Sequence, residues 1–180
     1  MRDWRGDVLK FWFGLDAEAW WRGGPELDQD IRRRFLKPWS EKRELPVAAF
    51  VDHPLTTLAG VILFDQFPRN MFRGHAEQFS TDHLALALAI ATTAVDRKLD
   101  DELGPQERCF LYMPFQHSES MADQRRSLLL FTALGDNYLL GYARKHHDVI
   151  ERFGRFPHRN AILGRAPRAD EIAAGDVVPW

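Results

Sequence analysis

The sequence contains one cysteine, Cys109, so no internal disulfide can form and a reducing compartment is the natural setting. Cys109 lies in RCFLYM among large apolar side chains, which predicts a buried packing role. The opening residues MRDWRGDVLKFWFG hold no uninterrupted apolar segment, so no signal peptide is expected. The longest uncharged apolar stretch, LALALAIATTAV at 84–95, falls short of the ~20 residues a membrane span requires. A cytoplasmic protein without a membrane partner is therefore expected. The formal net charge of −2 provides no excess positive charge for nucleic acid, and no nucleic-acid partner is expected.

Signature motifs are missing as well. There is no GxGxxG, Walker loop or GxSxG, which removes support for nucleotide folds and hydrolase elbows. HExxH and paired CxxC are absent, and no metal or other cofactor is expected. No stretch alternates apolar and polar residues long enough to make a sheet.

What is present is helical periodicity and a large apolar fraction. Apolar residues make up 45% of the 180, with 13 Phe and 6 Trp, enough for a substantial core in one domain spanning 1–180. Leu84, Leu88, Ala91 and Val95 form the stripe of a core helix within Thr81–Lys98. Asp136 caps a helix whose inner side runs Tyr138, Tyr142, His146, Val149, Ile150 and Phe153. Leu128, Phe131 and Leu134 give the preceding helix its apolar side, and Leu58, Val61, Ile62 and Asp65 do so for another. Further helices are expected over Arg2–Phe13, Leu27–Lys37 and Pro46–Asp52. The fold class is all-α: an antiparallel array of about eight or nine helices with short connections.

Two stretches echo one another, FDQFPRN ending at Asn70 and FGRFPHRN ending at Asn160. Proline suits the first turn of a helix, so Pro68 and Pro157 are each expected to end one helix and begin another short one. Arg69-Asn70 and His158-Arg159-Asn160 then stand in first turns, where free N–H groups and the helix dipole already create positive potential. A cation there calls for a negative partner. Five arginines (152, 155, 159, 165, 168) and no acid occupy 152–168, and Arg69, Arg73 and His75 fall in an acid-free 66–76. Arginine forks of this kind suit phosphate or carboxylate.

Two sources of negative charge compete. One is internal: Asp65, four residues before Arg69, with Glu119 and Asp148 as further candidates, would make a clasp between helix corners. The other is external: a small anionic ligand, or an acidic peptide end, held in a cleft between the two corners. Its binding residues would be Arg69, Asn70, Arg73, Arg155, His158, Arg159 and Asn160. A third segment, PFQHSES, places His117 just before a helix that Ser118 caps, with Glu119 in its first turn. His146 faces inward and needs a hydrogen-bond partner. An alternative reading is an acid–base or metal-assisted hydrolase or lyase acting on an anionic small molecule, with His117, His146, His158 and Glu119 as the set that would have to converge. Its catalytic candidates are His117 or His146 as base, with Glu119 or Asp65 as the orienting carboxylate.

KFWFG, LFDQFPRNMFRG, MPFQHSES and HHDVIERFGRFPHRNAILGR together resemble the uncharacterised, mainly bacterial domain-of-unknown-function 924 family over about residues 8–165. The resemblance implies an all-helical fold related to the tetratricopeptide-repeat superfamily and no established activity. It carries over a polar motif at Asp65, Gln66, Arg69, Asn70, Arg73, His117, Ser118, Glu119, His146, Asp148, Arg155, His158, Arg159 and Asn160. Ala166-Pro167 and the ending IAAGDVVPW depart from the family pattern, which leaves the 166–180 tail without a role.

Overall fold

The computed structural model describes residues 3–94 and 98–179, and among these every regular element is helical. The chain forms two compact units, Met1–Leu111 and Tyr112–Trp180. None of the described helices is long and apolar enough to cross a membrane.

The first unit contains α1 (Trp4–Phe13), α2 (Ala17–Arg22), α3 (Pro25–Lys42), α4 (Pro54–Val61), α5 (Phe67–Met71) and α6 (Asp82–Thr92). Asp3 caps α1 by accepting from Arg5 N–H, and Trp12 on its inner face is buried. The Phe35 and Phe67 rings lie 4.4 Å apart, and Trp12 meets Phe67 and Phe110 edge-on. Each large apolar side chain buried here contributes roughly 1.5–3 kcal/mol. Cys109 is buried, as its neighbours predict.

α3 continues five residues beyond the expected end at Lys37, straight through Pro38. The backbone bond lost at Pro38 is offset by Trp39, which is buried, packs on Phe72 and donates its indole N–H to Thr81 Oγ1. The expected helix over Pro46–Asp52 is only a single 3₁₀ turn, Val47–Ala49. His53 and Pro54 open α4 directly afterwards, with His53 Nδ1 accepting from Leu55 N–H, so no length remains for a separate helix. Leu58, Val61, Ile62 and Asp65 are all fully buried, as expected. α6 buries Leu88 as expected, but with Ala85, Ala89 and Thr92 rather than Leu84 and Ala91, and Val95 lies outside the described residues. Small residues decide that phase. A Cβ on Gly60 of α4 would lie 2.8 Å from the Leu88 side chain, so α4 and α6 approach as closely as glycine allows.

α7 (Pro105–His117) runs into the second unit, which adds α8 (Met121–Leu134), α9 (Asn137–Phe153) and α10 (Ala169–Ala174). Gly135, in the left-handed conformation, closes α8, and Asp136 caps α9 by accepting from Tyr138 and Leu139 N–H. With only these two residues between them, α8 and α9 pack as an antiparallel pair. α9 buries Leu140, Ala143, His146, Ile150 and Phe153, while Tyr138 stays exposed. α8 buries Gln124 and Ser127 beside Phe131, in place of the expected Leu128 and Leu134. Gln124 belongs there because its amide donates to the Gln116 and Ser118 carbonyls at 2.8 and 2.7 Å, tying the α7–α8 turn to the helix.

Candidate functional site

The two FP corners are built differently. In the first, no helix ends. α4 passes through a five-residue π turn, Ile62–Gln66, in which Phe67 N–H reaches back to the Ile62 carbonyl, and α5 follows without a break. Pro68 has no N–H to offer the carbonyl four residues back, and its ring would press against it. The π turn absorbs the misfit, and side chains satisfy the released carbonyls. Thr81 Oγ1 donates to Phe64 O at 2.7 Å, and Arg69 donates to Asp65 O. Arg69 therefore sits in the last turn of a helical run rather than the expected first turn, where a cation suits the dipole.

The Arg69 guanidinium forms a two-pronged pair with Asp82 at 2.8 and 3.0 Å and reaches Asp65 Oδ1 at 3.2 Å. Asp65 is fully buried and also accepts from the Gln66 amide. Burial alone would ease the proton off Arg69, but Asp65 and Asp82 more than reverse that and hold it firmly charged. Arg73 pairs with Asp28 through Nε and Nη2 at 2.7 and 2.9 Å, and Asn70 donates to the same carboxylate at 2.8 Å. Two arginines thus face three aspartates.

The second corner does break. Gly154, left-handed, ends α9; Phe156 is extended; Pro157 opens the 3₁₀ turn Pro157–Arg159, as expected. Here Glu119, which follows α7 rather than standing in the first turn of α8, takes Phe156 N–H at 2.7 Å. Its carboxylate also receives both prongs of Arg165 at 2.7 and 3.0 Å. Burial pushes Glu119 up, but Arg165 and the Phe156 N–H outweigh it and leave it a stronger acid than usual. Arg165 Nε donates to Asn160 Oδ1, and Asn160 Nδ2 donates to Glu171. Glu171, buried in α10, also accepts from Arg155 at 2.6 and 2.8 Å and from Arg168 N–H. Those bonds hold its pKa down at about 2, with Arg155 the largest cause. The tail left without a role by sequence is thereby docked through Glu171, with Arg155 also donating to Ala166 O and Arg168 to Phe153 O.

Around Phe156 gather His146, whose ring is 5.6 Å away, His158, also at 5.6 Å, and the Arg159 guanidinium, 4.3 Å over the ring face. His117, the last residue of α7, lies 6.2 Å from His146. His146 is buried, and its Nδ1 is 2.8 Å from the Tyr142 carbonyl. A carbonyl only accepts, so Nδ1 carries the proton and Nε2 of the neutral ring presents a lone pair. Burial, then His117, then Arg159 and His158 hold the His146 pKa at about 3, against a smaller opposite pull from the Tyr142 carbonyl. Burial and Arg159 hold His158 at about 4.

Other expectations resolve more simply. Ser118 does not cap α8; Ser120 holds that position, while Ser118 accepts from Ser120 N–H and donates to Asp123 at 2.6 Å. Asp148 is exposed and lies beside His147, with no arginine bonded to it among the described contacts. His117, His146 and His158 do not converge as a metal set. Among the described residues, ligand atoms of His147, Asp148 and Glu151 come within 4.8 Å of one another, on exposed or half-exposed parts of α9. Sequence reasoning missed Asp28, Asp82, Thr81 and Glu171. Asp28 and Asp82 lie in first turns, where an acid already has a reason to be. Glu171 carried one signal: it stands three residues after Arg168, the spacing of a reciprocal cap.

The chain belongs to the family described as bacterial proteins of unknown function (DUF924), whose model matches residues 8–174. The match extends past the 8–165 expected from the motifs and takes in all of α10. A solved structure of a protein of unknown function from Agrobacterium tumefaciens is 35% identical, with a TM-score of 0.85 over 94% of this chain and 95% of that one. No curated protein matches.

Proposed function

We propose that this DUF924 protein binds a small anion, a carboxylate or phosphate group, at the FPHRN corner of its second unit. His117, His146, His158 and Arg159 are the contacting groups. The carrying observation is that His146, His158 and the Arg159 guanidinium surround Phe156, with His117 beside His146, while the Glu119 carboxylate is bonded to Arg165 and to Phe156 N–H. Arg155, Arg159 and Arg165 outnumber Glu119 and Glu171 there, the reverse of the FPRN corner.

Two of the imidazoles are kept neutral by burial and by their positive neighbours. An entering anion changes that electrostatic balance, and His146 then takes a proton on Nε2 and donates it to the ligand. Binding is therefore coupled to proton uptake and strengthens as pH falls. The acid–base enzyme reading is less favoured because its orienting carboxylates are engaged elsewhere: Asp65 with Arg69, and Glu119 with Arg165. Arg69, Asn70, Arg73, Arg155 and Asn160, expected at a ligand site, serve here as internal clasps.

Calorimetric titration of acetate and inorganic phosphate at about pH 5.5 and pH 8, in two buffers of different ionisation enthalpy, tests this. Tighter binding at the lower pH is expected, with uptake of up to one proton. His146→Asn and Arg159→Gln should remove it, and Arg73→Gln should not. Failure of both anions to bind the folded protein at either pH sinks the proposal.

A further inference from the structure

Beside the same corner lies a cleft of about 600 Å³, within the size range of small-molecule sites. Its apolar lining includes Pro157, Ala161, Ile172, Val177 and Val178. His158, Asn160 and Arg165 also line it, and His158 belongs to the histidine group. Resting on the anion-binding reading above, we infer that the natural ligand is a monocarboxylic acid with an apolar body. Its hydrocarbon part lies along the Ile172–Val178 wall and its carboxyl group turns toward His158.

The charges of the cleft select against the alternatives. Arg165 is already matched to Glu119, so it adds orientation and one spare N–H rather than a net positive charge. Glu171 and Asp176 also line the cleft, and Glu171 is matched to Arg155. The Asp176 carboxylate repels a phosphate dianion more than a monoanion, and repels least an acid that arrives with its proton. A small polar anion would leave the wall of Ile172, Val177 and Val178 in water, whereas an aliphatic or aromatic body covers it. Ile172 is 67% exposed and Val178 43%, so this apolar surface has no cover of its own.

Titrating the full chain with acetate, butyrate, hexanoate, octanoate and inorganic phosphate, at about pH 5.5, tests the inference. Affinity should rise roughly two- to fourfold per added methylene until the wall is covered. Phosphate should bind more weakly than butyrate. Ile172→Asn should flatten the chain-length series, weakening octanoate far more than acetate, and the side chain it replaces is exposed in the folded protein. Val178→Asn provides the same reading independently. His158→Ala should weaken every acid in the series. Equal affinity for acetate and octanoate, or phosphate binding tighter than butyrate, overturns the apolar-acid inference and leaves anion binding standing. Absence of binding by all five overturns both.

Discussion

Thr81 donates its hydroxyl to the carbonyl of Phe64 at 2.7 Å, and Phe64 is the residue four before Pro68. A side chain seventeen residues away thus supplies the hydrogen bond that proline cannot. Thr81 is fully buried and receives the Trp39 indole as well, so water cannot replace it. Thr81→Val should cost about 1–3 kcal/mol by leaving a buried acceptor unmatched, and Thr81→Ser should cost less. Urea denaturation of the two variants checks the order; equal losses would reduce the role of the hydroxyl to packing.

Arg69 and Asp65 form a buried ion pair, and the removal of one partner strands the other. Arg69→Met should destabilise by about 3–5 kcal/mol, because fully buried Asp65 is left without its cation. Asp65→Asn in the same chain should recover much of the loss, a coupling that a double-mutant cycle measures.

His146 makes stability fall in acid. Its pKa is about 3 in the folded protein against 6.5 in a free imidazole, so the unfolded chain binds more protons between those values. The stability present above about pH 6.5 should therefore be lost as pH falls, at up to about 1.4 kcal/mol per unit from this group. Glu119 and Glu171, both lowered, act in the same direction at more acid pH. Urea midpoints of the protein and of His146→Asn at several values from about pH 7 to pH 4 separate the histidine from the carboxylates. Parallel profiles would show that His146 protonates at no cost.

Glu171 joins Arg155, Asn160 and the Arg168 N–H, so Glu171→Ala should release α10. Limited proteolysis should then cut near residues 166–174 while α8 and α9 stay protected. Glu171→Gln keeps the acceptor oxygen for Arg168 and should show intermediate protection. Unchanged cleavage in Glu171→Ala would mean that α10 is held by apolar contacts instead.

The helical class, the Asp136 cap, the buried Leu58–Asp65 face and the inward His146 were all legible, because each follows from spacing within one helix. Phase was less so. In α6 the run of Ala and Leu offers several faces of nearly equal hydropathy, and the choice among them is made by Gly60 of another helix. Asp65, four residues before Arg69, was a visible partner and is one. The further acids on Arg69 and Arg73, Asp82 and Asp28, come from thirteen and forty-five residues away, and local charge windows do not contain them. Pro68 misled for a related reason: its cost is met by the backbone of residues 62–66 and by Thr81, and neither has a sequence mark.

The π turn has a consequence for how mutations should be counted along this chain. An α-helix turns by about 100° per residue, so a turn that carries one residue too many sets the helical wheels before and after it out of step. Positions up to Val61 and positions from Phe67 onward follow separate wheels, although no loop divides them. Deleting one residue within 62–66, with Pro68→Ala to permit continuous α geometry, would merge the wheels and leave Arg69 aimed at Asp82, whereas restoring α geometry without the deletion would swing it about 100° away. The aim of that guanidinium therefore depends on the π turn absorbing one residue, and loss of that turn at constant chain length would disarm the corner while leaving every side chain in the sequence around it unchanged.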